Sequence, residues 1–85
     1  MPEICRFYGI IILMNYNDHE APHFHARYED QEVIVEIQTG TVKGQMTRRA
    51  LRMLFEWSEI HFEELVDNWR LSRERKPLKE IMPLP

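Results

Sequence analysis

Three of the four histidines in this 85-residue sequence fall within seven positions, in "NDHEAPHFHARYEDQE", residues 17–32. His19, His23 and His25, with Asp18 and Glu20 beside them, are imidazole and carboxylate donors of the kind that hold zinc or another divalent first-row ion. His23, His25 and Arg27 are also the parts of a metal-free acid–base site. They would supply a neutral base, an acid and an anion-stabilising cation, which suits phosphodiester cleavage, with Glu36 orienting His25. In a third reading Asp18 and His19 cap a turn, Pro22 stiffens it, and the other polar groups are the solvated face of a strand. Spacing alone leaves the three open. An obligatory metal is disfavoured, because strand alternation gives only His23 and His25 a common face and Arg27 would repel a cation there. No cofactor is expected.

A second candidate is basic. Arg48, Arg49 and Arg52 sit in the first turns of a helical segment, where the macrodipole disfavours cations, so an anionic partner such as an RNA backbone is one reading and a solvated basic face the other. Arg70, Arg73, Arg75 and Lys76 lie near the helix end, where the dipole favours them, and carry no functional assignment. Trp57 and Trp69, at helical spacing, read as core.

These residues need elements to position them. "EICRFYGIIILMNYND" reads as two short strands turning at Gly9, or one strand bent there. "HFHARY" follows Pro22 as a strand with Phe24, Ala26 and Tyr28 on the apolar face and His23, His25 and Arg27 on the other. In "EVIVEIQTG", Val33, Val35 and Ile37 alternate with Glu32, Ile34 and Glu36, again a strand. A hairpin turning at Asp30–Gln31 would set Phe24, Ala26 and Tyr28 opposite Ile37, Val35 and Val33, with His25 opposite Glu36, His23 opposite Gln38 and Arg27 opposite Ile34. "TVKGQM" reads as a loop or a short edge strand.

From Thr47, a suitable N-cap, the period becomes helical. Leu51, Leu54, Phe55, Ser58, Phe62, Leu65, Val66 and Trp69 form the predicted buried stripe. A continuous helix would run ~39 Å, long for so small a domain, so a break near Ser58–His61 is expected. The tail "KPLKEIMPLP" must be extended, and its Leu78, Ile81 and Leu84 need a surface to lie on. The predicted fold is α+β: one domain, residues 1–85, with an antiparallel meander of three or four strands (3–46), a long or broken helical segment (47–73) and a proline-rich tail.

Composition narrows the function classes. A chain this short buries only somewhat over ~60% of its unfolded surface, enough for one core. A net charge of −3 argues against coating nucleic acid or an anionic membrane through bulk charge, so an RNA contact would need a local patch. The single cysteine, Cys5, excludes an internal disulfide and a multi-cysteine zinc ribbon. With no run long enough to span a bilayer and no signal-peptide pattern, a cytoplasmic protein is expected.

Taken together, "RFYGIIILM", "NDHEAPHFHARY", "RRALRMLFEWSEIHFEELVDNW" and "KPLKEIMPL" resemble the small bacterial family catalogued as domain of unknown function 4160, over nearly the whole chain. The chain departs from the family pattern at Glu20–Ala21, at Glu29–Asp30 and at Thr47, all in turns, where prolines or a glycine are usual. Members of the family are often encoded beside a protein of the family called domain of unknown function 2442, in an arrangement like a toxin–antitoxin module. The resemblance therefore implies a toxin-like role, an antitoxin-like partner encoded next door, and a functional surface built from Asp18, His19, Pro22, His23, His25, Arg27 and Tyr28. Two expectations follow: a metal-independent ribonuclease, or a non-enzymatic interaction module using the HFHARY strand face and the tail. A second copy of the chain is a further candidate partner.

Overall fold

The computed structural model describes residues 2–16 and 19–85. Five strands follow one another as an antiparallel meander: β1 (Glu3–Phe7), β2 (Ile10–Leu13), β3 (His23–Tyr28), β4 (Gln31–Glu36) and β5 (Val42–Gly44). Two helices complete the chain, α1 (Arg48–Ile60) and α2 (Phe62–Arg73). The α+β class and the meander are as predicted, but the strand count is five rather than three or four. Both ambiguous segments pair: Tyr8 and Gly9 form a two-residue turn with φ of 48° and 84°, which suits strand twist and makes β1 and β2 separate strands. Val42–Gly44 pairs with β4 as the edge strand.

The β3–β4 register corrects the sequence reading. Phe24 pairs with Val35, Ala26 with Val33 and Tyr28 with Gln31, so Glu29–Asp30 is the turn, with Glu29 at φ 56°. The shift from the predicted pairing is two residues. Because side chains alternate with a period of two, an even shift keeps apolar opposite apolar, and hydrophobic matching alone cannot tell the two registers apart. Turn geometry decides. On the outer face His23 therefore meets Glu36, His25 meets Ile34, and Arg27 meets Glu32.

Gly44 holds β5 close to its neighbour. Its φ is 107°, and a Cβ there would stand 2.5 Å from the Glu32 carbonyl oxygen. Gly44→Ala is expected to strip β5 from the sheet and cost roughly 1–3 kcal/mol, the scale of a strained backbone position. Lost amide protection at residues 42–44 with protection retained in β1–β3 would show it.

The helices pack on the sheet face that carries Phe7, Ile10, Ile12, Phe24, Ala26, Val33 and Val35. Trp57 is the centre of this layer: it is fully buried, with its ring 5.4 Å from Phe7 and 5.9 Å from Phe24. Thr47 caps α1 by accepting the Ala50 N–H at 3.2 Å, as predicted. The predicted break falls at His61 (φ −106°, ψ 27°), yet the hydrogen-bond ladder passes through it, from His61 N–H to the Trp57 carbonyl and from Leu65 N–H to the His61 carbonyl.

The predicted stripe is rotated. Leu54 and Leu65 are buried and Leu51, Ser58 and Trp69 half-buried, but Phe55, Phe62 and Val66 face solvent. The buried face instead carries Ala50, Leu54, Trp57, Leu65, Asn68, Leu71 and Ser72. Ala50 packs in the core, Ser72 is buried with its hydroxyl donating to the Trp69 carbonyl at 2.7 Å, and Asn68 is buried because the tail supplies its partners. The Asn68 side-chain amide donates to the Lys79 carbonyl and its oxygen accepts the Lys79 N–H, both at 2.9 Å.

The tail lies in the seam between β1 and the helices. Ile81 is buried and donates its N–H to the Ile4 carbonyl at 2.9 Å, while Leu78 and Leu84 pack on the core. Trp57 Nε1 donates to the Met82 carbonyl at 2.8 Å. At the surface, hydrogen bonds from Arg70 and Lys79 hold the Asp67 carboxyl below its ordinary range. Ile81, Leu78 and Leu84 of the tail thus serve the chain's own core, which is the surface they need to lie on, while Met82 is 71% exposed.

Candidate functional site

The histidine segment enters β3 from Pro22, whose carbonyl accepts the Ile37 N–H at 2.9 Å and so extends the β3–β4 pairing to the start of the motif. His23 follows and is 4% exposed. Its Nδ1 lies 2.8 Å from the Ala21 carbonyl, so Nδ1 carries the hydrogen and the lone pair of the neutral ring is on Nε2. The ring lies 5.2 Å from that of Trp69 on α2 and 5.3 Å from that of His25. His25 is half-buried as a residue, yet both its ring nitrogens are shielded from solvent. The two imidazoles and the indole form one packed aromatic group that ties β3 to α2.

Arg27 is on the same sheet face but is differently engaged. Its side chain is half exposed and donates from Nε to Glu32 at 2.8 Å, the cross-strand partner set by the observed register. An exposed pair of this kind contributes little stability, about 0–1 kcal/mol, but it fixes the guanidinium over β4 and partly neutralises it. Glu36, expected to orient His25, is opposite His23 and accepts from the Thr39 hydroxyl at 2.8 Å. Tyr28 is half-buried and packs on the core. His19 is exposed, and Asp18 lies outside the described residues.

Arg48, Arg49 and Arg52 are exposed at the start of α1, next to the β3–β4 turn, where Gln31 Oε1 accepts the Thr47 N–H at 3.1 Å. His23 is at the far end of β3, roughly 17 Å away along the strand at the usual rise per residue. The structure thus brings His23, His25 and Trp69 together and keeps the arginine group apart from them. Among the described residues no three His, Cys, Asp or Glu side chains are grouped to hold a metal ion. Cys5 is a buried free thiol, and burial pushes it above its ordinary range.

Around Arg27 the outer sheet face is open. By register it carries Arg6, Ile11, Arg27 and Glu32 in one row and Leu13, His25, Ile34 and Lys43 in the next, of which Leu13 is buried. Ile11 and Ile34 are half-exposed apolar groups, framed by the Arg6–Glu3 and Arg27–Glu32 pairs. Two participants escaped the sequence reading. Helical spacing places Trp69 in the core but does not show its contact with His23, a tilted ring pair, and it gives no role to Asn68, which sits one helical turn from both Leu65 and Ser72. A polar residue on an apolar stripe was the signal.

No helix among the described residues is long and apolar enough to cross a membrane. Residues 9–70 match the family model described as Domain of unknown function (DUF4160). That span holds the histidine segment, β2 to β5 and most of both helices, and it leaves out β1 and the tail, which pair with each other through Ile4 and Ile81. No curated protein and no solved structure matches the chain.

Proposed function

The chain belongs to the DUF4160 family, and from that premise we propose that it is the toxin-like component of a two-gene module, acting by binding protein through its outer sheet face. The pairing with a neighbouring gene product comes from the family resemblance. What favours binding over catalysis is the state of the histidines: His23 is enclosed and packed against the tilted Trp69 ring, and the ring nitrogens of His25 are shielded. A general base needs hydrogen-bond access to the proton that it takes. The residues beside them, Arg27, Glu32, Ile11 and Ile34, are at least partly open and combine apolar area with charge, as protein interfaces do.

A metal-independent ribonuclease, the other reading of the segment, has less support. Its anion-stabilising Arg27 is paired with Glu32, and Arg48, Arg49 and Arg52 stand at the opposite end of β3 from His23. The test is co-purification with the protein encoded next door. Arg27→Glu is expected to weaken the complex at least ten-fold and Arg49→Glu to leave it unchanged, while growth arrest on expression survives His25→Gln. RNA cleavage by the purified chain, abolished in a His25→Gln protein with an unchanged melting curve, would overturn the proposal.

A further inference from the structure

The two edges of the sheet are finished differently. At β1 the chain covers its own edge: the tail lies along it, and Ile81 donates its N–H to the Ile4 carbonyl at 2.9 Å. At β5 no further strand of the described chain pairs. The phase of the ladder fixes which groups this leaves. Glu36 donates its N–H to the Thr41 carbonyl at 2.9 Å, so these two form a hydrogen-bonded pair, and two residues on Ile34 and Lys43 form the next. A trans peptide points its N–H and C=O in opposite directions, so the N–H and C=O of Val42 and the N–H of Gly44 point away from β4, out of the edge. Lys43, Gly44 and Gln45 are exposed there. The edge is also held in shape. The Gly40 N–H donates to the Glu36 carbonyl at 2.9 Å, and the Thr39 hydroxyl accepts the Thr41 N–H and donates to the Glu36 carboxylate.

Lys43 decides what can pair with this edge. The two-fold register that uses all the outward groups would set Val42 against Gly44 of a second copy, and Lys43 against Lys43, so like charge opposes self-pairing. Among the described residues no carboxylate forms an ion pair with Lys43. We propose that the β5 edge is a docking site for an extended segment of another protein, added antiparallel as a sixth strand, with an acidic residue opposite Lys43 and an apolar residue on either side of it. Val42 would form a hydrogen-bonded pair with the segment, and the acidic residue would take the closely spaced position beside it, where cross-strand side chains interact most. By register Lys43 shares the outer face with Ile34, and Val42 shares the core face with Val35, so the segment must alternate charged and apolar in the same way. In such strand addition the main chain supplies affinity and the alternate side chains supply specificity, and an edge already ordered lowers the cost of binding. The edge is a different surface from the sheet face around Arg27, so this inference goes beyond the proposed function and either can fail without the other.

The probe is a blocked pentapeptide, Thr-Val-Glu-Val-Thr, titrated into the full chain labelled with nitrogen-15, with Thr-Val-Lys-Val-Thr as its counterpart. The glutamate peptide is expected to shift the amide signals of Val42, Lys43 and Gly44 and to slow hydrogen exchange at Val42 and Gly44. The lysine peptide should bind at least three-fold more weakly, as like charges directly opposite each other require. In a Lys43→Glu protein, whose substitution is at an exposed site, the preference should reverse. Three results would overturn the proposal: no shift at residues 42–44 up to millimolar glutamate peptide, equal binding of the two peptides by the wild type, or an unchanged preference in folded Lys43→Glu protein. Lys43→Gln, expected to bind both peptides alike, replaces that variant if it fails to fold, and a preference retained there would overturn the proposal equally.

Discussion

Removal of residues 77–85 is expected to abolish cooperative folding. Ile81 is 5% exposed, and burying such a side chain stabilises by roughly 1.5–3 kcal/mol. The deletion also takes away the Lys79 groups that satisfy the buried Asn68 amide and the Met82 carbonyl that accepts from Trp57 Nε1. Each buried polar group left without a partner costs about 1–3 kcal/mol. A small domain has on the order of 5–15 kcal/mol in all, so these losses together approach the whole margin. The truncated protein should lose its near-ultraviolet dichroism and its melting transition. A truncated chain that melts within a few degrees of the full one would show that the tail does not hold the core.

Trp57→Ala should be the most damaging single substitution, at about 3–5 kcal/mol, the usual cost of emptying a large aromatic site in a core. Its ring contacts Phe7, Phe24 and His61, so both the sheet layer and the bend between α1 and α2 lose a neighbour. Trp57→Phe separates packing from hydrogen bonding: most of the volume stays, the Met82 carbonyl loses its donor, and a cost of about 1–2 kcal/mol is expected. Urea denaturation monitored by far-ultraviolet dichroism gives both numbers. Equal costs for the two variants would mean that the hydrogen bond, and not the ring, is what Trp57 contributes.

Much of the architecture could be read from residue types, because periodicity reports which faces are apolar. The alternation in "HFHARY" and "EVIVEI" assigns Phe24, Ala26, Val33 and Val35 to one face, Thr47 marks where the helices begin, and the break expected near Ser58–His61 falls at its far end. Register was not legible, since an even slip preserves every face and the deciding turn uses Glu29 with positive φ where glycine would have announced it. The helical stripe is not legible because hydropathy favours Phe55, Phe62 and Val66, whereas the buried face takes small Ala50 and Ser72, and the tail satisfies Asn68. For the site, the sequence indicated that His23, His25 and Arg27 share a face. It could not indicate that Trp69, more than forty residues on, would close over His23, because that contact depends on how α2 returns to the sheet.

The seam between Ile4 and Ile81 has a kinetic consequence. Every strand in the meander pairs with its neighbour in sequence, so the sheet assembles through short loops, which close at little entropic cost. The seam instead joins segments near opposite ends of the described chain, the longest loop that this fold must close. Its contacts should therefore form after the transition state. Substitutions at Ile81 or Lys79 would then speed unfolding while barely slowing refolding. During synthesis the sheet and helices can assemble before the tail is made, but Trp57 and Asn68 wait for Met82 and Lys79. Until Ile81 and Met82 dock, the newborn protein has an open flank beside β1, which is the period when proteolysis or mispairing of that strand is most dangerous.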